Sequence, residues 1–243
     1  MKSRVRQYLG RVDPDGGLVP FVDAIAALGH EGDMIDYPDD VPTERIVGTA
    51  GRSGDFDGRF RLVNRALLGR WRAVADAMDT SVPMPRVRLT RLGGLYFVVD
   101  GHHRVSVARA RGQVSVPAQV RWICTTAYAM ACLRLSHLPS KAAEREFLGR
   151  VPLPDDVRPD LWLDRPAEWM RLADAAEAWG FRLALRGCPV DRAELAARWW
   201  EDEVVPLVAR LREKGAGVGL RDIELYAAAL SLRDQRRHSD QPG

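Results

Sequence analysis

The 243-residue chain predicts an α+β fold, a small mixed-sheet domain over residues 41–122 followed by a mainly helical region over 123–232. Three observations carry this expectation. Apolar and polar residues alternate around Val87 and Leu89, and again through Val114, Val116, Ala118 and Val120, the two-residue period of half-buried strands. Gly93-Gly94 separates two strand-like runs, a hairpin signal because tight two-residue turns need positive φ. Beyond Arg121 the apolar spacing turns helical almost throughout.

Residues 1–40 open with a basic stretch. A short helix over Leu18–Leu28, stopped by Gly29, leads to the acidic run Asp33–Asp40, and the whole reads as an N-terminal appendage packed on the main domain. Val41–Gly48 reads as the first strand, and Thr49–Phe60, rich in Gly and Asp, as a loop. Asn64 suits a helix N-cap, and Leu67, Leu68, Trp71, Val74, Ala75 and Met78 form one apolar stripe expected to face the sheet. Pro83-Met84-Pro85 breaks the helix, the hairpin follows, and Leu95–Val99 runs into Asp100-Gly101. A second helix over Val105–Arg111 ends at Gly112, before the last strand. Ser106 and Arg109 lie on that helix, Ser106 facing solvent; Tyr96 and Phe97 read as core and rim.

In the C-terminal part, helices are expected over Thr125–Leu135 and Ser140–Leu148, with a linker at Val151-Pro152-Leu153-Pro154. Another starts at Pro166, whose missing N–H costs nothing in a first turn, and runs through Trp169, Leu172, Ala173 and Ala176. Asp191 with Glu194 makes a capping-box-like start for a helix that Pro206 should kink. Ile223–Leu232 closes the helical region, and 233–243 reads as a flexible tail. Adjacent Trp199 and Trp200 cannot both bury on one helix face. One ring is therefore expected to cover the α/β lobe or a second subunit, which makes the helical region a candidate homodimer surface.

Hydrophobic content of 46% is enough for a sizeable core. No apolar run is long enough for a bilayer, so no membrane partner is expected. Met1-Lys2-Ser3-Arg4 leads into polar sequence rather than a signal-peptide core, so a cytoplasmic location is expected. Cys124, Cys132 and Cys188 form no C-x-x-C pair and read as small buried apolar residues. The net charge of +3 conceals a segregation: −4 over residues 1–40, +8 over 41–122 and −1 beyond. Such an excess attracts phosphates or nucleic acid, or merely marks a solvated basic face.

The positive segment contains Asp100-Gly101-His102-His103-Arg104, a strand end turning into a helix start. Glycine accepts the positive φ of such a turn, and a helix N-terminus presents unpaired N–H groups to an anion. Arg104 adds a forked cation suited to phosphate, and would oppose the helix dipole without one. His102 and His103 point about 100° apart but both reach a first-turn anion; their alternative is a structural hydrogen bond. Asp100 has two readings, helix N-cap and magnesium ligand, with capping placed first.

Over roughly Val41–Arg121 these residues resemble the ParB/sulfiredoxin superfamily, whose members carry a Gly-x-x-Arg loop at a strand-to-helix junction. The loop reads Gly-Glu-Arg-Arg in ParB partition proteins and Gly-Cys-His-Arg in sulfiredoxin, and contacts nucleotide phosphates in both; the version in this chain also looks like that of free-serine kinases of the superfamily. The resemblance implies a ParB/sulfiredoxin-like domain in which Gly101, His102, His103 and Arg104 line a phosphate site, and Arg52 resembles an arginine that ParB-type proteins carry early in the domain. It implies a nucleoside triphosphate, ATP or CTP, with Mg2+. His102 stands where sulfiredoxin has its nucleophile, so thiol chemistry is absent, and no clear helix-turn-helix follows. Glu44, Asp55 and Asp100 are the acidic candidates for catalysis, Asp100 also for metal; Asp57 reads as a loop residue making Asx turns. The leading reading is a nucleotide-binding protein with NTPase or small-molecule kinase activity. The alternative is a DNA-binding partition-type or regulatory protein, and a purely structural module is the third.

Overall fold

A computed structural model describes residues 17–51, 54–80, 83–128 and 133–239, which form two compact units divided after Leu138. The first carries a mixed six-stranded sheet and the second is helical, so the α+β expectation holds. No helix among the described residues is long and apolar enough to cross a membrane.

In the first unit, β1 (Val19–Pro20) and α1 (Phe21–Leu28) precede β2 (Glu31–Pro42), a 3-10 turn (Thr43–Arg45) and β3 (Ile46–Thr49). After a loop come α2 (Leu68–Met78), the hairpin β4 (Val87–Leu92) and β5 (Leu95–Asp100), α3 (His102–Ala110) and β6 (Ser115–Cys124). The strand order is β1-β3-β5-β4-β6-β2; β4–β5 and β2–β6 pair antiparallel, whereas β1–β3, β3–β5 and β4–β6 are parallel. As expected, Gly93 turns the hairpin at φ 56° and the Asn64 side chain caps the start of the second helical segment.

Alternation divides the side chains between two layers. Val87, Leu89, Tyr96, Val98, Ala118 and Val120 pack beneath Val105 and Ala108 of α3. Leu92, Leu95, Phe97 and Ile123 meet Ala24 and Leu28 of α1 on the other face. The stripe of α2 faces this core but stays half-buried. Trp71 from that stripe donates its indole N–H to Ser106 Oγ at 2.9 Å, so Ser106 is buried rather than solvent-facing.

Four expectations need correction. The acidic run of residues 33–40 is not part of an appendage: it lies in β2, an integral edge strand paired along its length with β6. Asp36 grips Arg121 there with two hydrogen bonds of 2.9 and 2.8 Å, so cross-strand charge supplies what apolar alternation does not. Pro38, Pro42 and an Asp40 amide already taken by Asp39 blunt its outer edge. Val41–Gly48 is not one strand, because Thr43 turns to hydrogen-bond Gln113 and Val114 and divides the run. The helix expected over Thr125–Leu135 is absent from the described residues there, where 125–128 only bend and Leu135–His137 form a single 3-10 turn. Cys124 and Cys188 are exposed free thiols rather than core residues.

The second unit contains α4 (Leu138–Arg150), α5 (Pro166–Leu185), α6 (Arg192–Trp199), α7 (Val205–Glu213) and α8 (Asp222–Ser239). Pro166 opens α5, and Asp191 caps α6 by accepting from the Glu194 N–H at 2.9 Å, both as the sequence predicts. The regular helix stops before Pro206. A π turn at Trp200–Val204 resets the hydrogen-bond ladder so that the proline falls in the first turn of α7, where its missing N–H is harmless. Trp199 is fully buried against Phe147 and Tyr226, and Trp200 is half-buried on the same core. Trp199 is thus accounted for within this unit, whereas the described residues cover the Trp200 ring only in part. Helix α8 runs well past Leu232, so residues 233–239 continue it rather than beginning a tail.

Gly48 separates β3 from two neighbours: a Cβ there would collide with the Val19 carbonyl oxygen and the Phe97 ring. Gly48→Ala is expected to destabilise the sheet unit by about 1–3 kcal/mol, measured by urea unfolding. Burial pushes the Tyr226 phenol up to about 12. The unfolded chain therefore ionises at a lower pH than the native one, and stability of the helical unit is expected to fall as pH rises through the ordinary tyrosine value of about 10. A series of thermal melts at alkaline pH checks this, with Tyr226→Phe flattening the dependence.

Candidate functional site

The junction expected between β5 and α3 exists, and it can be built only on glycine. Gly101 sits at φ 103°, ψ 21°, and a Cβ would stand 2.7 Å from Val87 Cγ1. Both the conformation and the space exclude a side chain. The first helical hydrogen bond of α3 runs from the Val105 N–H to the Gly101 carbonyl at 3.0 Å. Gly101, not Asp100, is the N-cap; no side-chain cap bond is made, and the first turn of α3 holds no acidic residue.

Asp100 instead pairs with Arg104, Oδ2 to Nη2 at 2.7 Å, with its own side chain 65% exposed and that of Arg104 only 14%. The Nη1 group of Arg104 donates to the carbonyls of Pro85 and of Arg86, the latter at 3.1 Å. The expectation of an arginine facing an open anion site is thus corrected. Arg104 is a clamp that joins the first turn of α3 to the chain entering β4, and its negative partner is supplied from within.

The two histidines also differ from expectation, because both are buried. His102 Nε2 lies 2.7 Å from Thr49 Oγ1, which also accepts the Gly51 N–H at 3.0 Å. The Phe56 ring stacks on His102 with centroids 6.1 Å apart and meets His103 edge-on at 5.3 Å. The loop after β3 therefore lies over the helix start, which explains why the imidazoles pack inward instead of lining a phosphate site. Buried Asp57 shapes this loop by accepting from the Arg59 and Arg61 amides at 2.9 Å and from Arg61 Nε at 2.7 Å, as an Asx-turn residue should.

Of the other acidic candidates, Asp55 belongs to this same loop, where its carboxylate accepts the Asn64 side-chain amide at 2.9 Å. Glu44 does not join the junction. Strand β3 runs parallel to β5, so the residues before it lie at the end away from Asp100. There Arg109, from the last turn of α3, donates to the carbonyls of Thr43 and Ile46. Burial pulls Arg109 down to about 10, against the opposing pull of Asp57, and its guanidinium sits 5.0 Å from the Phe60 ring centre. Arg52 lies outside the described residues. Among the described residues no group of three His, Cys, Asp or Glu side chains stands ready to hold a metal, so Asp100 offers a single carboxylate.

Thr49 and Phe56 were not marked by the sequence as site residues, since neither has a periodicity or motif of its own. The only available signal was their position in the Gly/Asp-rich loop that must follow β3. Compared with protein-family models, with curated proteins and with solved structures, the chain shows no match.

If Phe56 is what shields the imidazoles, Phe56→Ala should speed their acylation by diethyl pyrocarbonate by at least about tenfold, with protection in the native protein. Mass spectrometry of peptides containing His102 and His103 reads this directly. Equal rates in the two proteins would place the shielding elsewhere.

Proposed function

We propose that the protein binds the phosphates of a nucleoside triphosphate at the Asp100–Arg104 junction, the reading that the ParB/sulfiredoxin resemblance implies. One observation supports it above the rest: an exposed carboxylate, Asp100, is paired with a largely buried arginine at an uncapped helix start. The carboxylate of Asp100 stands in for a ligand anion. A phosphate takes its place on Arg104 Nη2, carrying more charge and meeting the same helix end. Arg104 remains held by the Pro85 and Arg86 carbonyls and needs little reorganisation to receive it.

Released from Arg104, Asp100 is the residue that would hold Mg2+, an ion commonly bound by one or two carboxylates together with substrate phosphates. When bound, the ion neutralises phosphate charge. Gly101 lets backbone approach the phosphates closely, whereas His102, His103 and Thr49 set the position of the helix start from behind. NTPase or phosphotransferase activity belongs to this proposal as its catalytic form, with Asp100 the acidic group nearest the phosphates.

A DNA-binding reading has less support. The positive excess of residues 41–122 is offset in space by β2, whose Asp36 neutralises Arg121. Asp36 is held below the ordinary carboxylate range chiefly by its hydrogen bonds to Arg121.

The test is thermal unfolding with ATP, ADP, CTP and GTP, each with and without Mg2+. A ligand at about 100 times its Kd stabilises by about 2.7 kcal/mol, which should raise the midpoint by several degrees. Asp100→Asn is expected to keep nucleotide binding while losing the dependence on Mg2+. Absence of any nucleotide shift in the native protein, or an undiminished Mg2+ response in Asp100→Asn, would overturn the reading.

A further inference from the structure

The described residues cover the sheet face that carries α1 over only part of its area. Where Arg88 and Thr90 of β4 lie beside Gln119 and Arg121 of β6, a cavity of about 160 Å3 opens, flanked by Asp36 of β2 and Val99 of β5. Water occupies about 30 Å3 per molecule in the liquid, so the space suits a phosphate-sized group with a little solvent rather than a nucleoside.

The register explains why these side chains converge. In the parallel β4–β6 pair, Arg88 stands opposite Gln119 and Thr90 opposite Arg121, so the four side chains form a square on one face. The β4–β5 register shifts between Arg88 and Leu89: Arg88 pairs with Asp100 and Leu89 with Val98, which leaves Val99 as the extra residue of a bulge. Val99 is 42% exposed and forms an apolar border to the cavity.

The fold leaves part of this donor set open. Thr90 is 93% buried, and what remains of it open lines the cavity. Arg88 is exposed and forms no ion pair among the described residues. Arg121 gives Nε and Nη2 to Asp36, which leaves Nη1 available. Two guanidinium groups, a hydroxyl and a carboxamide around one small space make a donor set for a tetrahedral oxyanion, and the charge of Asp36 is already matched by Arg121.

We propose that this cavity on the sheet face is a phosphate-binding site, distinct from the α3 junction, that takes free phosphate or the phosphate group of a small monoester. Arg88 and Thr90 are its principal donors, Arg121 and Gln119 complete it, and the bulge at Val99 keeps its rim open. The site stands on the sheet residues alone and does not require a nucleotide at Arg104.

Titration of the full chain with inorganic phosphate, and separately with an alkyl phosphate, followed through the amide resonances of β4 and β6, tests this. Saturable shifts at Thr90 and Gln119 are expected; equal response to both ligands identifies the free anion as sufficient, and preference for the ester identifies an esterified phosphate as the source. Arg88→Gln should weaken binding by at least about tenfold and Thr90→Val by about threefold. Arg88 is exposed, so Arg88→Gln leaves the core intact and is decisive even if Thr90→Val fails to fold. Absence of saturable binding, or saturable shifts at the first-turn amides of α3 that persist undiminished in Arg88→Gln, would overturn the proposal. The second pattern would move the anion to the helix junction and leave that reading standing.

Discussion

The reach of Arg104 back across the chain organises the sheet unit. Its guanidinium bonds the carbonyls of Pro85 and Arg86 where the chain enters β4, and the carboxylate of Asp100 where it leaves β5. One residue on α3 thereby fixes the start of one strand, the end of its neighbour and the first turn of the helix between them. Gly101 makes the reach feasible, because a side chain there would collide with Val87 and bring the backbone out of the left-handed region. Thr49, His102 and Phe56 secure the same helix start from the other side.

This arrangement has a chemical consequence. A helix start without a capping side chain, next to a guanidinium, is a place of positive potential, and the native fold meets it with a carboxylate of its own. An internal pair of this kind gives little net stability when its acid is mostly solvated, so its replacement by a more highly charged anion is energetically accessible. The sheet-face cavity is built differently. There Asp36 is hydrogen-bonded to Arg121 and only feels the charge of Arg88, so two guanidinium groups share one carboxylate around a small space.

Much of the fold was legible where local chemistry decides it. The Gly93-Gly94 hairpin, the Asn64 and Asp191 caps and the Pro166 helix start all depend on residues within a few positions of one another. Strand β2 was not legible, since the run Asp36-Tyr37-Pro38-Asp39-Asp40 shows no apolar alternation and the partner of Asp36, Arg121, lies 85 residues away. The π turn was equally hidden: the sequence showed that Pro206 and the two tryptophans disagree with a regular helix, without showing how the ladder would adjust. At the junction, the turn itself could be read from Asp100-Gly101, but side-chain directions could not. Burial of the histidines depends on Phe56 arriving from a distant loop, and the removal of Glu44 depends on β3 running parallel to β5.

The central claim is that Asp100 occupies on Arg104 the position of an external phosphate. Nitrogen-resolved NMR of the arginine side chains, recorded during addition of Mg2+ and a nucleoside triphosphate, tests it most directly. The Arg104 guanidinium signal and the amides of the first turn of α3 should move together and saturate together, as Asp100 gives way to the incoming anion. Saturable nucleotide binding that leaves the Arg104 signal unchanged would contradict the account.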